Sequence, residues 1–339
     1  MIGYVGTYTK EHGKGIYKFD LDTEAGKLTA VEEAAESPNA TYLDIENDRV
    51  YAVKKGKSKA GIATFEISDL ETGELRFIED CLEEGASGCH LTLTSDQNYI
   101  VDAVYLSGEI RLYRVDERGV ASERLDIFQV EGDGPHERQD NPHSHFVTET
   151  PDRRYIAAVD LGADKIVTLE IRDDKLQKVS ECMVAAGSGP RHLVFDDSGT
   201  HAYIFTELSN EVIVANYHDG EFFPVETYST LPESFEGHSQ GAAIRKHPNG
   251  KYIYVSNRGH DSIAAFEIIE EGKALKRLQI ESTNGDWPRD FNLTPDGDYL
   301  ICAHERSHNL VLFRVNDDGT IERQEGELEV PEGVFVGFV

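Results

Sequence analysis

Residues 15–22 read GIYKFDLD, and the same pattern returns six times: GIATFEIS from Gly61, EIRLYRVD from Glu109, KIVTLEIR from Lys165, EVIVANYH from Glu211, SIAAFEII from Ser262 and NLVLFRVN from Asn309. The second residue of each copy is aliphatic (Ile16, Ile62, Ile110, Ile166, Val212, Ile263 and Leu310), and the copies lie 46, 48, 56, 46, 51 and 47 residues apart. Each copy is β-branched and aromatic with partial alternation, which favours a strand. A second strand precedes each one: YVGT near Tyr4, VYAVKK near Tyr51, YIVDAV from Tyr99, YIAAVD from Tyr155, AYIFTE from Ala202, YIYVSN from Tyr252 and YLICAH from Tyr299. Turn signals such as TPDR at Thr150, DDSG at Asp196, HPNG at His247 and TPDG at Thr294 come before most of these. Ahead of the turn lies a further short apolar strand, for example RHLVF from Arg191. The polar stretch after each GIYKF-type strand leaves room for a fourth.

Four antiparallel strands in about 40 to 50 residues is the size of a propeller blade. The pattern predicts an all-β chain, one seven-bladed β-propeller domain over residues 1–339, with strands A to D running outward in each blade. There is no WD dipeptide, so this is not a WD40 array. The first copy begins directly with YVGTYT and lacks an inner strand, whereas the C-terminal VPEGVFVGFV resembles the inner strand of other copies. Residues near 333–339 are therefore expected to pair beside residues near 2–8, closing the ring and removing an exposed edge.

With 63 acidic against 33 basic residues the formal charge is −30. Such a surface repels nucleic acid and anionic membranes, so neither is an expected partner. No stretch approaches the roughly 18 to 20 apolar residues of a membrane span, and the N-terminus does not read as a signal peptide. Cys81, Cys89, Cys182 and Cys302 are scattered, with no zinc or disulfide pattern. A reducing cytoplasm is the expected compartment. No cofactor is expected. His143 and His145 stand at i and i+2, a possible metal pair, but no third ligand follows at fixed spacing.

In a meander, the starts of A strands and the ends of B strands share one end of the blade. That rule gathers His90, His143, His145, Arg191, His192, His238 and Arg289 with Lys54, Lys55, Asp160, Glu207, Asn257, Arg258, His304 and Glu305. Cations and imidazoles thus concentrate at one mouth of an acidic protein, an arrangement suited to a small anion held by arginine forks. Plainer readings compete. Asp160 could simply cap its turn, His90 and His192 could be packed core, and Arg191, Glu207 and Arg258 could form a structural ion network. His201, His218, His247 and His260 read as loop surface. The segment HERQDNPHSH, 136–145, falls in the longest interval and is an insertion; residues 131–145 are expected to form a lid or specificity loop.

The stretches GTYTKEHGKGIYKFDLD, NPHSHFVTETPDRRYIAAVDLGADKI, GSGPRHLVFDDSGTHAYIFTELSNEV, YIYVSNRGHDSIAAFEI and WPRDFNLTPDGDYLI resemble the seven-bladed lactonase family, which contains bacterial propeller-type 6-phosphogluconolactonases and a fungal carboxymuconate cyclase. The resemblance spans essentially the whole chain. It implies a metal-independent enzyme acting on a small anionic lactone. The family's functional histidine falls on His143, its arginines on Arg191 and Arg258, and its glutamate on Glu207. Departures occur at Asn141, which replaces the first histidine of an HPH motif, at Val104, and at His304–Glu305. The catalytic set is thus expected to be His143, Glu207, Arg191 and Arg258. Arg289, His145, His192, Lys55, Asn257 and His304 are expected to bind a phosphorylated sugar lactone. A muconate-type lactonising enzyme and a non-catalytic binding propeller are the alternatives.

Overall fold

The computed structural model describes all 339 residues. Its strands form seven four-stranded sheets, each an antiparallel meander, and the only helical element is a 3-10 turn at Glu270–Gly272. No helix is long and apolar enough to cross a membrane. This is the seven-bladed β-propeller that the repeat implies, with the outer D strand present in every blade. The repeated aliphatic residue is the reason the pattern recurs: Ile16, Ile62, Ile110, Ile166, Val212, Ile263 and Leu310 are all at most 1% exposed. Blade 1 takes its inner strand from the C-terminus. Gly333–Phe338 pairs antiparallel with Ile2–Thr7, in a register that sets Gly3 opposite Phe338 and Thr7 opposite Gly333.

The chain divides into two compact units, neither continuous in sequence. One comprises residues 1–50, 65–77 and 229–339; the other comprises residues 51–64 and 78–228. In the first, Phe291, Phe313, Tyr254 and Ile263 pack blade 6 on blade 7, and Phe19, Ile301, Leu310 and Val336 pack blade 7 on blade 1. In the second, Val101, Leu112, Ala158 and Leu169 join blades 3 and 4, while Phe146, Ile166, Ile204 and Ile213 join blades 4 and 5. Face-to-face burial of the apolar side of each sheet is the dominant favourable term here.

The A–B turns of blades 3, 4 and 7 share one device. Thr94, Thr150 and Thr294 each donate to the aspartate two residues on, at 2.7, 2.7 and 2.6 Å. Each also accepts the backbone N–H of the tyrosine five residues on, at 3.1, 3.1 and 3.0 Å. Two histidines expected at the surface lie at the A–B turns of blades 5 and 6 and are buried, His201 at 6% and His247 at 8% exposed. His201 is tied to Asp196 at 3.2 Å, and His247 Nδ1 accepts the N–H of Asn249 at 3.1 Å.

Candidate active site

In the unit made of residues 51–64 and 78–228, the B strand of blade 4 (Ile156–Asp160) ends on a carboxylate that organises what surrounds it. Asp160 is 1% exposed. One oxygen accepts the backbone N–H groups of His143 at 3.0 Å and Ala163 at 2.8 Å; the other accepts Ser144 Oγ at 2.8 Å. Burial still holds its pKa above the ordinary aspartate range. Asp160 is thus a turn cap, and by the same bonds it seats His143. Gly162 completes the seat, since a Cβ there would lie 2.0 Å from the Asn141 carbonyl oxygen.

The His143 ring is fixed at both faces of its chemistry. It stacks on Tyr105, centroids 4.3 Å apart and planes 11° from parallel. Its Nδ1 lies 2.8 Å from the Tyr105 carbonyl oxygen. A carbonyl only accepts, so Nδ1 carries a proton, and in the neutral form of the ring the lone pair is left on Nε2. Nε2 faces the exposed Asp140 carboxylate at 3.4 Å.

Glu207, just past the B strand of blade 5 (His201–Thr206), is 2% exposed and receives two guanidinium groups. Arg191 Nε lies 3.1 Å from Oε2, and Arg138 Nη2 lies 2.6 Å from Oε1. Arg138 also donates to the Tyr105 hydroxyl at 3.1 Å. Burial pushes the Tyr105 phenol up, with Arg138 opposing. Arg191 Nη1 meets His192 Nε2 at 3.0 Å. Because arginine only donates, His192 is neutral here with its proton on Nδ1. His192 stands among His145 and His90, with ring centroids 5.2 and 5.5 Å away. His90, His145 and His192 are each at most 5% exposed, and Phe146 packs on both His90 and His192. The readings of His90 and His192 as packed side chains and as site residues therefore merge. No three His, Cys, Asp or Glu side chains are placed to hold a metal ion. Lys55 is exposed at the end of its strand, Arg49–Lys55.

The unit made of residues 1–50, 65–77 and 229–339 holds the remaining expected residues. Arg258, 3% exposed, donates to the Gly241 carbonyl at 2.6 Å and sits 5.5 Å from the centre of the Trp287 ring. Arg306 lies on that ring at 3.5 Å. Trp287, the only tryptophan, has φ of +69°, a strained conformation for a bulky residue. The Asp261 carboxylate holds its N–H at 3.0 Å, and its carbonyl accepts from Glu305 at 3.1 Å. Arg289 pairs with Glu305 at 3.5 Å and covers Tyr8 at 5.3 Å. Two expected ligand-binding residues are instead parts of the fold. Asn257 is fully buried, its Oδ1 accepting Thr230 Oγ1 at 2.7 Å and its Nδ2 donating to the Thr230 carbonyl at 3.2 Å. His304 is fully buried beside the Asn309 carbonyl at 3.2 Å, and burial pushes its pKa down to about 4. It is therefore neutral at physiological pH and offers no charge to an anion.

Arg138 and Tyr105 were not anticipated from sequence. Arg138 lies inside the noted insertion, and the longest repeat interval was its only signal. Tyr105 directly follows Val104, the position read only as a departure.

A family model described as "Lactonase, 7-bladed beta-propeller" matches residues 2–338. An uncharacterized protein of Staphylococcus epidermidis is 41% identical over 340 residues, covering 99% of each chain. Among solved structures, a Bacteroides fragilis protein provisionally assigned as a 6-phosphogluconolactonase superposes with a TM-score of 0.91 at 32% identity, covering 100% of this chain and 97% of that one. A periplasmic gluconolactonase of Pseudomonas aeruginosa superposes with a TM-score of 0.94 at 26% identity, covering 100% and 98%. The chain belongs to the seven-bladed β-propeller lactonase family.

Proposed function

We propose that this lactone hydrolase opens a small anionic sugar lactone, with 6-phosphogluconolactone as substrate and 6-phosphogluconate as product. The observation that carries the reading is the pairing of a tautomer-fixed His143 with a Glu207 carboxylate shared by Arg138 and Arg191. Both carboxylate oxygens are taken by guanidinium groups, which favour the ionised form, so Glu207 orients the arginines and is poorly suited to be the base. His143 Nε2 is the base. It takes a proton from water as the water oxygen bonds to the lactone carbonyl carbon. Arg191 stabilises the oxyanion. The bond from that carbon to the ring oxygen then breaks, and His143 returns the proton to the leaving alkoxide, giving the open hydroxy acid. A cytoplasmic location is part of the proposal and is supported by four cysteines that are all free thiols.

The test is lactone hydrolysis above the spontaneous rate. His143→Gln and Arg191→Ala are each expected to lose on the order of a hundredfold in kcat. Wild-type rates in both variants, cyclisation of a muconate instead, or tight ligand binding without turnover would refute the reading.

A further inference from the structure

The inserted segment between blades 3 and 4 is ordered by its own contacts. Gln139 is fully buried, and its Nε2 donates to the Leu161 carbonyl at 2.8 Å. Its Oε1 accepts the N–H of His136 at 3.1 Å, and its carbonyl accepts the N–H of Gly134 at 3.0 Å. Pro142 lies against Gly108, where a Cβ would come within 2.5 Å of the proline Cβ. Anchored in this way, the segment presents a fixed arginine and does not need to close like a lid.

That arginine is only partly satisfied. Nη2 of Arg138 serves both Glu207 and the Tyr105 hydroxyl. Nη1 is buried and has no acceptor. A buried guanidinium donor left without a hydrogen bond is unfavourable, so such a group is expected to find an acceptor when the site is filled. Its neighbours say which end of a substrate would supply one. The same guanidinium touches the carboxylate that orients Arg191, and its second acceptor is the ring that stacks on His143. With Arg191, it brings two positive charges to one carboxylate.

We propose that Arg138 is a substrate-binding residue for the lactone end. Its Nη1 donates to the carbonyl oxygen as that oxygen gains charge, and afterwards to the carboxylate of the product. This rests on the lactonase reading. A guanidinium binds an anion more strongly than a neutral ester carbonyl. The contact therefore strengthens along the reaction and bears on kcat more than on KM. It should also be blind to what substituent the far end of the sugar carries.

Arg138→Ala and Arg138→Lys would be assayed on 6-phosphogluconolactone and on gluconolactone, with gluconate binding followed by calorimetry and folding by thermal melting. Arg138→Ala is expected to lower kcat/KM on the order of a hundredfold for both lactones by the same factor. It should also weaken gluconate binding; Arg138→Lys, which keeps a cation beside the buried Glu207 carboxylate, is expected to melt near the wild-type temperature and so separates the binding role from a loss of stability. Lysine keeps the charge without the fork and is expected to recover part of the loss. Three results would overturn the proposal: wild-type kinetics in Arg138→Ala, a loss confined to the phosphorylated lactone, or a lysine variant no better than alanine. Failure of the wild type to hydrolyse either lactone would overturn the lactonase reading and this one with it. Wild-type turnover that Arg138→Ala does not disturb would overturn this one alone.

Discussion

The tightest constraint on His143, the proposed base, comes from a residue with no side chain. Gly162 sits in the turn capped by Asp160, and a Cβ there would lie 2.0 Å from the Asn141 carbonyl oxygen and 2.7 Å from the His143 nitrogen. Both obstacles are backbone, so they cannot yield by rotating a side chain. Gly162→Ala should push residues 141–143 outward and break the bond from His143 Nδ1 to the Tyr105 carbonyl. A misplacement of about 1 Å in catalytic geometry can lose roughly a hundredfold in rate. Overpacking of this kind typically costs about 1–3 kcal/mol of stability. Kinetics and thermal melting of the same sample check both; a variant with wild-type kcat would show that the seat of His143 does not matter. At this scale the sequence places backbone positions at the ends of inner strands but does not say what their side chains meet. The A-start and B-end rule selects Arg191, Glu207, Arg258 and His143, all buried. It also selects Asn257 and His304, because a position in a strand does not say whether residues around it, Thr230 for Asn257 and Asn309 for His304, have already used the side chain's hydrogen bonds.

Elements were legible where one physical pattern dominated. Period-two alternation and a repeated buried aliphatic identify the B and C strands, and the A–B turns of three blades carry their own threonine–aspartate signature. The insertion was visible only as excess length. Nothing in its composition signals that Arg138 reaches a glutamate almost seventy positions later, since that contact exists only after blades 4 and 5 have packed. Blade 3 holds a further surprise. Its B and C strands set Asp102 directly opposite Arg111, yet Arg111 gives Nε to Glu109 at 2.8 Å and Nη1 to the Ala86 carbonyl at 2.9 Å. Asp102 is fully buried, neither of its oxygens has a hydrogen-bond partner, and burial pushes its pKa up to about 7 despite the nearby Arg111 charge. Because the folded value lies above that of the unfolded chain, the protonated carboxyl favours the fold. Its contribution is fully present below the ordinary aspartate range. It declines as pH rises towards 7, by about 1.4 kcal/mol per pH unit, and is constant above that. Asp102→Asn should therefore raise the melting temperature at pH 8, with the gain shrinking to nothing in acid. An equal effect at both pH values, or destabilisation at pH 8, would show that the carboxylate is paired in solution.

For the molecule as a whole, the closing strand is held by more than its ladder. Glu332, one residue before it, is 4% exposed and adopts a positive φ of 52°. Its carboxylate collects four successive backbone N–H groups from the N-terminal loop: Lys10 at 3.2 Å, Glu11 at 3.0 Å, His12 at 3.1 Å and Gly13 at 2.9 Å. Its own N–H goes to His308 Nδ1 at 3.0 Å, and its carbonyl accepts the N–H of Tyr8 at 3.1 Å. The two chain ends are thereby stitched into one nest around a negative charge. Burial alone would raise the carboxyl pKa, but the four donors outweigh it and hold the group below the ordinary glutamate range. The sign of the pH dependence follows. A depressed folded value contributes stability above the unfolded pKa and loses it as pH falls through the folded value. Glu332→Ala should therefore melt earlier than wild type at pH 7, with the difference narrowing as the pH is lowered through the carboxylate range. Glu332→Gln keeps the shape but not the charge and should fall between the two at pH 7. The same loop carries Lys10, which reaches Glu305 at 3.3 Å, and Tyr8, which lies under Arg289. Loss of the nest is therefore expected to raise backbone hydrogen exchange at residues 8–14 as well. Variants that melt alike at every pH, with residues 8–14 exchanging at the wild-type rate, would show that the strand ladder alone closes the fold.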